Sequence, residues 1–181
     1  MGATTDTIFG KVLLSGLNDE SLETRIAAIQ SLGMMKYDPA VEPISELIEN
    51  TDTQTERLTG TISLGMIGDT SAIPQLKKLL NDDEANIRWD AAIALAKMND
   101  KSGIHIIEGL LDRNYLKQFK QIDPIEQKKV IMIAIKTTSI LFDKRFKSKL
   151  NLLAENDEDL SVRNAAIKVL ENNYSNIGTN Y

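Results

Sequence analysis

The sequence predicts an all-α protein, a right-handed α-solenoid (superhelix) of about five antiparallel helix pairs. Three observations carry this. Short segments recur: Ser31-Leu32-Gly33-Met34 returns as Ser63-Leu64-Gly65-Met66, and Leu17-Asn18-Asp19 as Leu80-Asn81-Asp82. Arginines fall at Arg25, Arg57, Arg88 and Arg163, with steps of 32, 31 and 75 residues. The last gap holds two repeats and an insertion. Apolar residues then follow each arginine at helical spacing. No stretch alternates as a half-buried strand does.

Each arginine opens one helix. Ala28, Ile29 and Leu32 stand at +3, +4 and +7 from Arg25. Gly60, Thr61 and Leu64 follow Arg57, Ala91, Ala92 and Leu95 follow Arg88, and Ala166, Ile167 and Leu170 follow Arg163. That spacing is one face of an α-helix, and small residues at +3 let a neighbouring helix come close. Shorter periodic stretches lie between: Val41 to Ile48, Ile73 to Leu80, Ile104 to Leu111. Asp38-Pro39, Asp69-Thr70-Ser71 and Asp100-Lys101-Ser102 introduce them as caps. Gly33, Gly65 and Gly68 sit where helix C-caps want glycine. One pair cannot bury its apolar face alone, so stacking supplies the core. The predicted repeats are 4–35, 39–67, 70–98, 101–142 and 143–172, in a single domain over 1–181 with a polar tail at 173–181.

These residues resemble the HEAT repeat family, in particular the short HEAT-like repeats first named for phycobilisome (bilin) lyases. Ala72-Ile73-Pro74-Gln75-Leu76 through Asn81-Asp82-Asp83, then Ile87-Arg88 through Ala91-Ala92 to Leu95, match best. Thr24 and Glu56 stand where valine is usual before the arginine. The resemblance covers about residues 10–112 and 143–172. It implies second helices on the concave side and arginines bonded between neighbouring repeats. By position, Asp19, Asp52, Asp82 and Asp157 are then the acidic partners of Arg25, Arg57, Arg88 and Arg163, with a structural role.

Composition excludes several chemistries. The 181 residues contain no cysteine, so disulfides, thiolate metal sites and cysteine nucleophiles are out. His105 is the only histidine, with Glu108 at i+3. This is no metal site, and no triad or phosphate loop accompanies it. Family-level comparison points the same way. HEAT-repeat deoxyhypusine hydroxylases hold iron through several His-Glu pairs, and this chain has none. HEAT-like alkylpurine DNA glycosylases need a basic, aromatic groove, and repeats 1–3 are acidic. No cofactor, metal or catalytic residue is expected. The longest apolar run, Val130 to Ile135, is far short of a membrane span, and the opening residues resemble neither a secretory signal nor a myristoylation site. The expected compartment is the cytoplasm, and the Asn173-Tyr174-Ser175 sequon is discounted accordingly.

Charge is uneven. Residues 1–100 hold 8 basic against 16 acidic side chains, residues 101–181 hold 13 against 10, and residues 113–149 hold 10 against 3. Two departures from the repeat mark candidate sites. Ile26, Leu58 and Trp89 at +1, with Ile62 and Ile93 at +5, lie off the core face. They form an apolar stripe on the second helices, either open as a groove or packed against the next repeat. Glu56 and Asp90 beside it favour a basic, apolar helix or peptide. The second departure is the insertion 112–123, where Tyr115, Leu116 and Phe119 alternate with Arg113, Lys117 and Lys120 at the spacing of a short helix. Asp123, Pro124 and Glu126 then compose a capping box for the next helix.

The function expected is a non-catalytic scaffold binding another protein on the concave face. One alternative is a nucleic-acid or anionic-surface binder working through 113–149. Clustering of Lys117, Lys120, Lys128, Lys144 and Lys147 on one face would favour it. Another is an accessory subunit of a lyase-type enzyme.

Overall fold

The computed structural model describes residues 2–174, and the side chains from residue 8 onward. Among these the chain is all helix, α1 to α11, with two 3-10 turns and no strand. The helices gather into two compact units, Met1–Asp100 and Lys101–Tyr181.

The first unit contains α1 (Gly2–Gly16), α2 (Leu22–Met34), α3 (Val41–Asn50), α4 (Gln54–Ile67), α5 (Ile73–Leu79) and α6 (Ala85–Lys97). They pair as α1/α2, α3/α4 and α5/α6, and the second members pack side by side, α2 on α4 and α4 on α6. The starts follow the caps. Ser21 Oγ accepts from the Thr24 amide, and the Asp69 carboxylate from the Ser71 amide. Asp38-Pro39 opens the 3-10 turn Asp38–Ala40. Ile29, Leu32, Ile44, Leu64, Leu76, Ile87 and Leu95 are fully buried in one continuous core.

The glycines divide in a way the sequence did not suggest. Gly68 ends α4 in the left-handed conformation at φ 81°, as a C-cap should. Gly33 and Gly65 instead lie inside α2 and α4, at the helix crossings. A Cβ on Gly33 would stand 2.9 Å from the Cα of Ser63, and one on Gly65 2.8 Å from the Cβ of Ala94. Glycine is required there by the close approach of two backbones.

The second unit contains α7 (Ile104–Leu110), α8 (Arg113–Leu116), α9 (Pro124–Ile140), α10 (Phe146–Asn156) and α11 (Leu160–Tyr174). Here α7 pairs with α9, α10 with α11, and α11 packs on α9. The insertion contributes the single turn α8, which anchors through the buried Leu116. Asp123 and Glu126 make the capping box reciprocally at 2.8 and 3.2 Å. α11 takes in residues 173 and 174, the first two of the expected tail. Tyr174 is buried, donates its hydroxyl to the Asp143 carbonyl at 2.9 Å, and packs on Phe142 at 4.9 Å. The rest of the tail, and Ser175 of the sequon, lie outside the described residues.

Candidate functional site

The arginines bridge repeats, with a different partner scheme from the one the resemblance implied. Each sits four residues after its helix N-cap. In three of them one terminal nitrogen reaches back to the carbonyls of its own turn. Arg25 donates to the Asp19 and Glu20 carbonyls at 2.8 and 3.0 Å, Arg88 to the Asp82 and Asp83 carbonyls at 2.6 and 2.8 Å, and Arg163 to the Asp157 carbonyl. Nε, in Arg25 and Arg57, points to a carboxylate of the following repeat. Arg25 pairs with Glu56, and Arg57 with Asp82 at 3.1 Å. So Asp19, Asp82 and Asp157 serve their own arginines through backbone oxygens. The guanidinium fork explains this, since it presents donors in two directions at once.

Glu56 is the clearest correction. It was a candidate for a basic ligand, yet it is 2% exposed and accepts from both Arg25 and Thr51. Burial pushes its carboxyl up, but the Arg25 and Thr51 hydrogen bonds outweigh that and hold it below its ordinary value. Asp52, the expected partner of Arg57, is exposed, and Asp82 meets that arginine instead.

In the fourth repeat Gln127 occupies the arginine position, four residues after Asp123. Its amide reaches the Ile122 carbonyl at 3.4 Å. The carboxylate of the next turn, Asp157, is met instead by Arg113 of α8, through two hydrogen bonds of 2.7 and 2.9 Å. Glu158 adds a contact at 3.2 Å.

The apolar stripe does not run continuously. Trp89 and Ile93 are 6% and 9% exposed, so both are buried. Ile26 and Leu58 are half-buried, and Leu58 packs on the core. Only Ile62 of the five is open, at 42%. The second helices of this unit expose two residues the sequence did not single out, Met34 and Met66. Met66 lies one turn from Ile62, and that spacing was available in the sequence. Asp90 is half-buried on α6, and burial pushes its acid up to about 6, with Lys97 pulling weakly the other way.

Four of the ten basic side chains of 113–149 are paired, Arg113 among them. Lys149 meets Asp112 and Lys128 meets Asp159, each at 2.7 Å, and Arg145 meets Asp143 at 3.0 Å. Tyr115 is half-buried beside Gly109 and meets Phe119 edge-on at 5.2 Å. These aromatics therefore serve the packing of α8. Lys117 and Lys120 are exposed, and no ion pair engages them among the described residues. His105 is exposed. Among the described residues no group of three or more His, Cys, Asp or Glu could hold a metal ion, and no helix is long and apolar enough to cross a membrane.

A groove of about 480 Å³ runs between α9 and α11. Met132, Ile133, Ala165 and Val169 line it with Lys136 and Lys168. Ile133 is 48% exposed. The sequence hid this feature, because Met132 and Ile133 belong to the apolar run that reads as buried.

Repeated helix pairs joined through arginine-to-carboxylate bridges define an α-solenoid repeat protein. The family model for HEAT repeats matches residues 10–96 and 42–118, more than half of the chain. The chain belongs to the HEAT repeat family. No curated protein matches it. Among solved structures it is similar to a chain in the complex of CpcE and CpcF of phycocyanin lyase from Nostoc sp., with 20% identity and a TM-score of 0.65. The match covers 89% of this chain and 63% of that one, so this chain spans less than two thirds of its length. At that identity the likeness is one of fold.

Proposed function

We propose that the chain is a non-catalytic protein-binding scaffold whose partner lies on the concave face formed by the second helices. One observation carries this reading. Within each unit the second helices pack side by side and still leave large apolar side chains open, Ile62 and Met66 on α4 and Ile133 on α9. Exposed apolar surface on a repeat array is where partners dock. The buried charges, by contrast, are committed to the bridges between repeats.

A photo-crosslinking residue at Ile62 or at Ile133, compared with one at Ser45 on the first helix α3, tests the reading in the source cell. Crosslinks to the same protein from Ile62 or Ile133, absent from Ser45, are expected. Crosslinks from Ser45 alone, or none above the unlabelled chain, overturn it. The lyase-accessory reading is a special case in which that protein is an enzyme subunit. The nucleic-acid reading has less charge to draw on, since four of the ten cations of 113–149, Arg113, Lys128, Arg145 and Lys149, are paired within the unit.

A further inference from the structure

We infer that the groove between α9 and α11 receives one amphipathic helix of a partner protein, with an apolar face flanked by acidic side chains. This rests on the scaffold reading and specifies the partner's chemistry at one site. On α11, Ala165, Lys168, Val169 and Asn172 stand at spacings of 3, 4 and 7, a single helical stripe. On α9, Met132, Ile133, Lys136 and Ser139 form the facing stripe. The floor between them is apolar. Ile133 is 48% exposed, a large aliphatic surface for a residue inside a 17-residue helix. Each stripe runs over eight residues, 165–172 and 132–139, so it is about 10 Å long at ~1.5 Å per step. That length accepts about two turns of a third helix laid into the groove.

The lysines select the occupant. Five of the thirteen cations of this unit have a carboxylate, namely Arg113, Lys128, Lys149, Lys101 and Arg145. Lys136 and Lys168 are exposed, and no ion pair engages either among the described residues. No acidic residue lines the groove. The two cations stand on opposite helices, so a ligand seated on the apolar floor has one on each side. Carboxylates flanking the ligand's apolar stripe meet both, and lysines there are repelled.

The test uses the full chain, methyl-labelled at Met and Ile, with two fluorescent 14-residue helical peptides. They share one leucine stripe at i, i+3, i+4 and i+7; one has flanking glutamates and the other flanking lysines. The acidic peptide is expected to bind about tenfold more tightly at low salt, with the preference shrinking as salt rises. Methyl shifts should centre on Met132, Ile133 and Ile135. The double change Lys136→Glu and Lys168→Glu alters only exposed side chains and should invert the preference. Equal affinities, shifts centred elsewhere, or a preference unchanged by the charge reversal would overturn the inference. Shifts confined to Ile62 and Met66, abolished by Ile62→Glu, would retain the second-helix scaffold and reject this groove. Absence of binding by either peptide, together with no crosslinks at Ile62 or Ile133, would reject both. Self-association abolished by the charge reversal would assign the groove to a second copy and overturn the partner helix.

Discussion

Asp90→Asn should stabilise the protein at neutral pH and do little in acid. Asp90 is half-buried on α6, and burial raises its acid from 3.8 to about 6. Below pH 3.8 the folded and unfolded chains both hold the proton. Between 3.8 and about 6 the unfolded chain releases it while the folded chain keeps it, so stability falls as pH rises through that window. Above about 6 the folded chain ionises too and the deficit stays constant. A rise of this size corresponds to about 3 kcal/mol near pH 7 and about 0.5 kcal/mol near pH 4. Asparagine has nearly the volume and helix propensity of aspartate, so the substitution removes the charge and little else. Each kcal/mol moves the melting temperature by about 2–4 °C in a chain of this size. Helix-monitored thermal melts at both pH values read the difference directly. Equal gains at the two pH values, or a loss at pH 7, would refute the account of Asp90 as a desolvated acid.

Trp89→Ala should lower stability by about 3–5 kcal/mol in chemical denaturation, because the ring is 6% exposed; a loss below about 1 kcal/mol would place it at an open binding face. Gly33→Ala should cost about 1–3 kcal/mol although alanine favours helix, since its Cβ meets Ser63 at 2.7–2.9 Å. Melting curves of this variant beside Gly68→Ala, where nothing stands within 4 Å but φ is 81°, separate crossing strain from turn strain. Ile62→Glu should leave the melt within about 1 kcal/mol and reduce partner retention at least about tenfold.

The fold was legible because it rests on local signals repeated several times. Ser21, Asp69 and Asp123 cap helices where their types and flanking residues say they should. Leu32, Leu64 and Leu95, each seven residues after its arginine, are all fully buried. The candidate site was less legible because a second helix in a stacked array has more than one buried side. The angle of 100° per residue places Trp89 and Ile93 away from their own pair's core, yet both are buried. The periodicity of one helix cannot reveal what its neighbours cover. The same limit explains Gly33 and Gly65, whose role depends on residues about 30 positions away, and Glu56, which replaces a turn aspartate from within the following helix. Conversely, the run from Val130 to Ile135 reads as core throughout, while Ile133 opens onto the groove.

The bridge between the last two repeats shows how one structural task can be divided. In the first unit Arg25 alone meets both its own turn and the next repeat's carboxylate. At the matching position Gln127 retains the contact to its own turn, at the Ile122 carbonyl. A neutral amide does not compensate the charge of Asp157, whose side chain is 1% exposed. Arg113, brought by the insertion, supplies the missing charge with two hydrogen bonds to it. The insertion therefore has a structural function, and Arg113 is bound into it. Arg113→Ala leaves Asp157 buried and uncompensated, which should cost about 3 kcal/mol. Gln127→Arg restores the cation from the position the other repeats use, so it should recover about half of that loss in the Arg113→Ala chain. In the native chain, where Asp157 already has its partner, it should give nothing. A double-mutant cycle by denaturant titration measures the coupling. Strict additivity would show that position 127 and Arg113 do not share the Asp157 carboxylate, and that the insertion does not substitute for the arginine the repeat lacks.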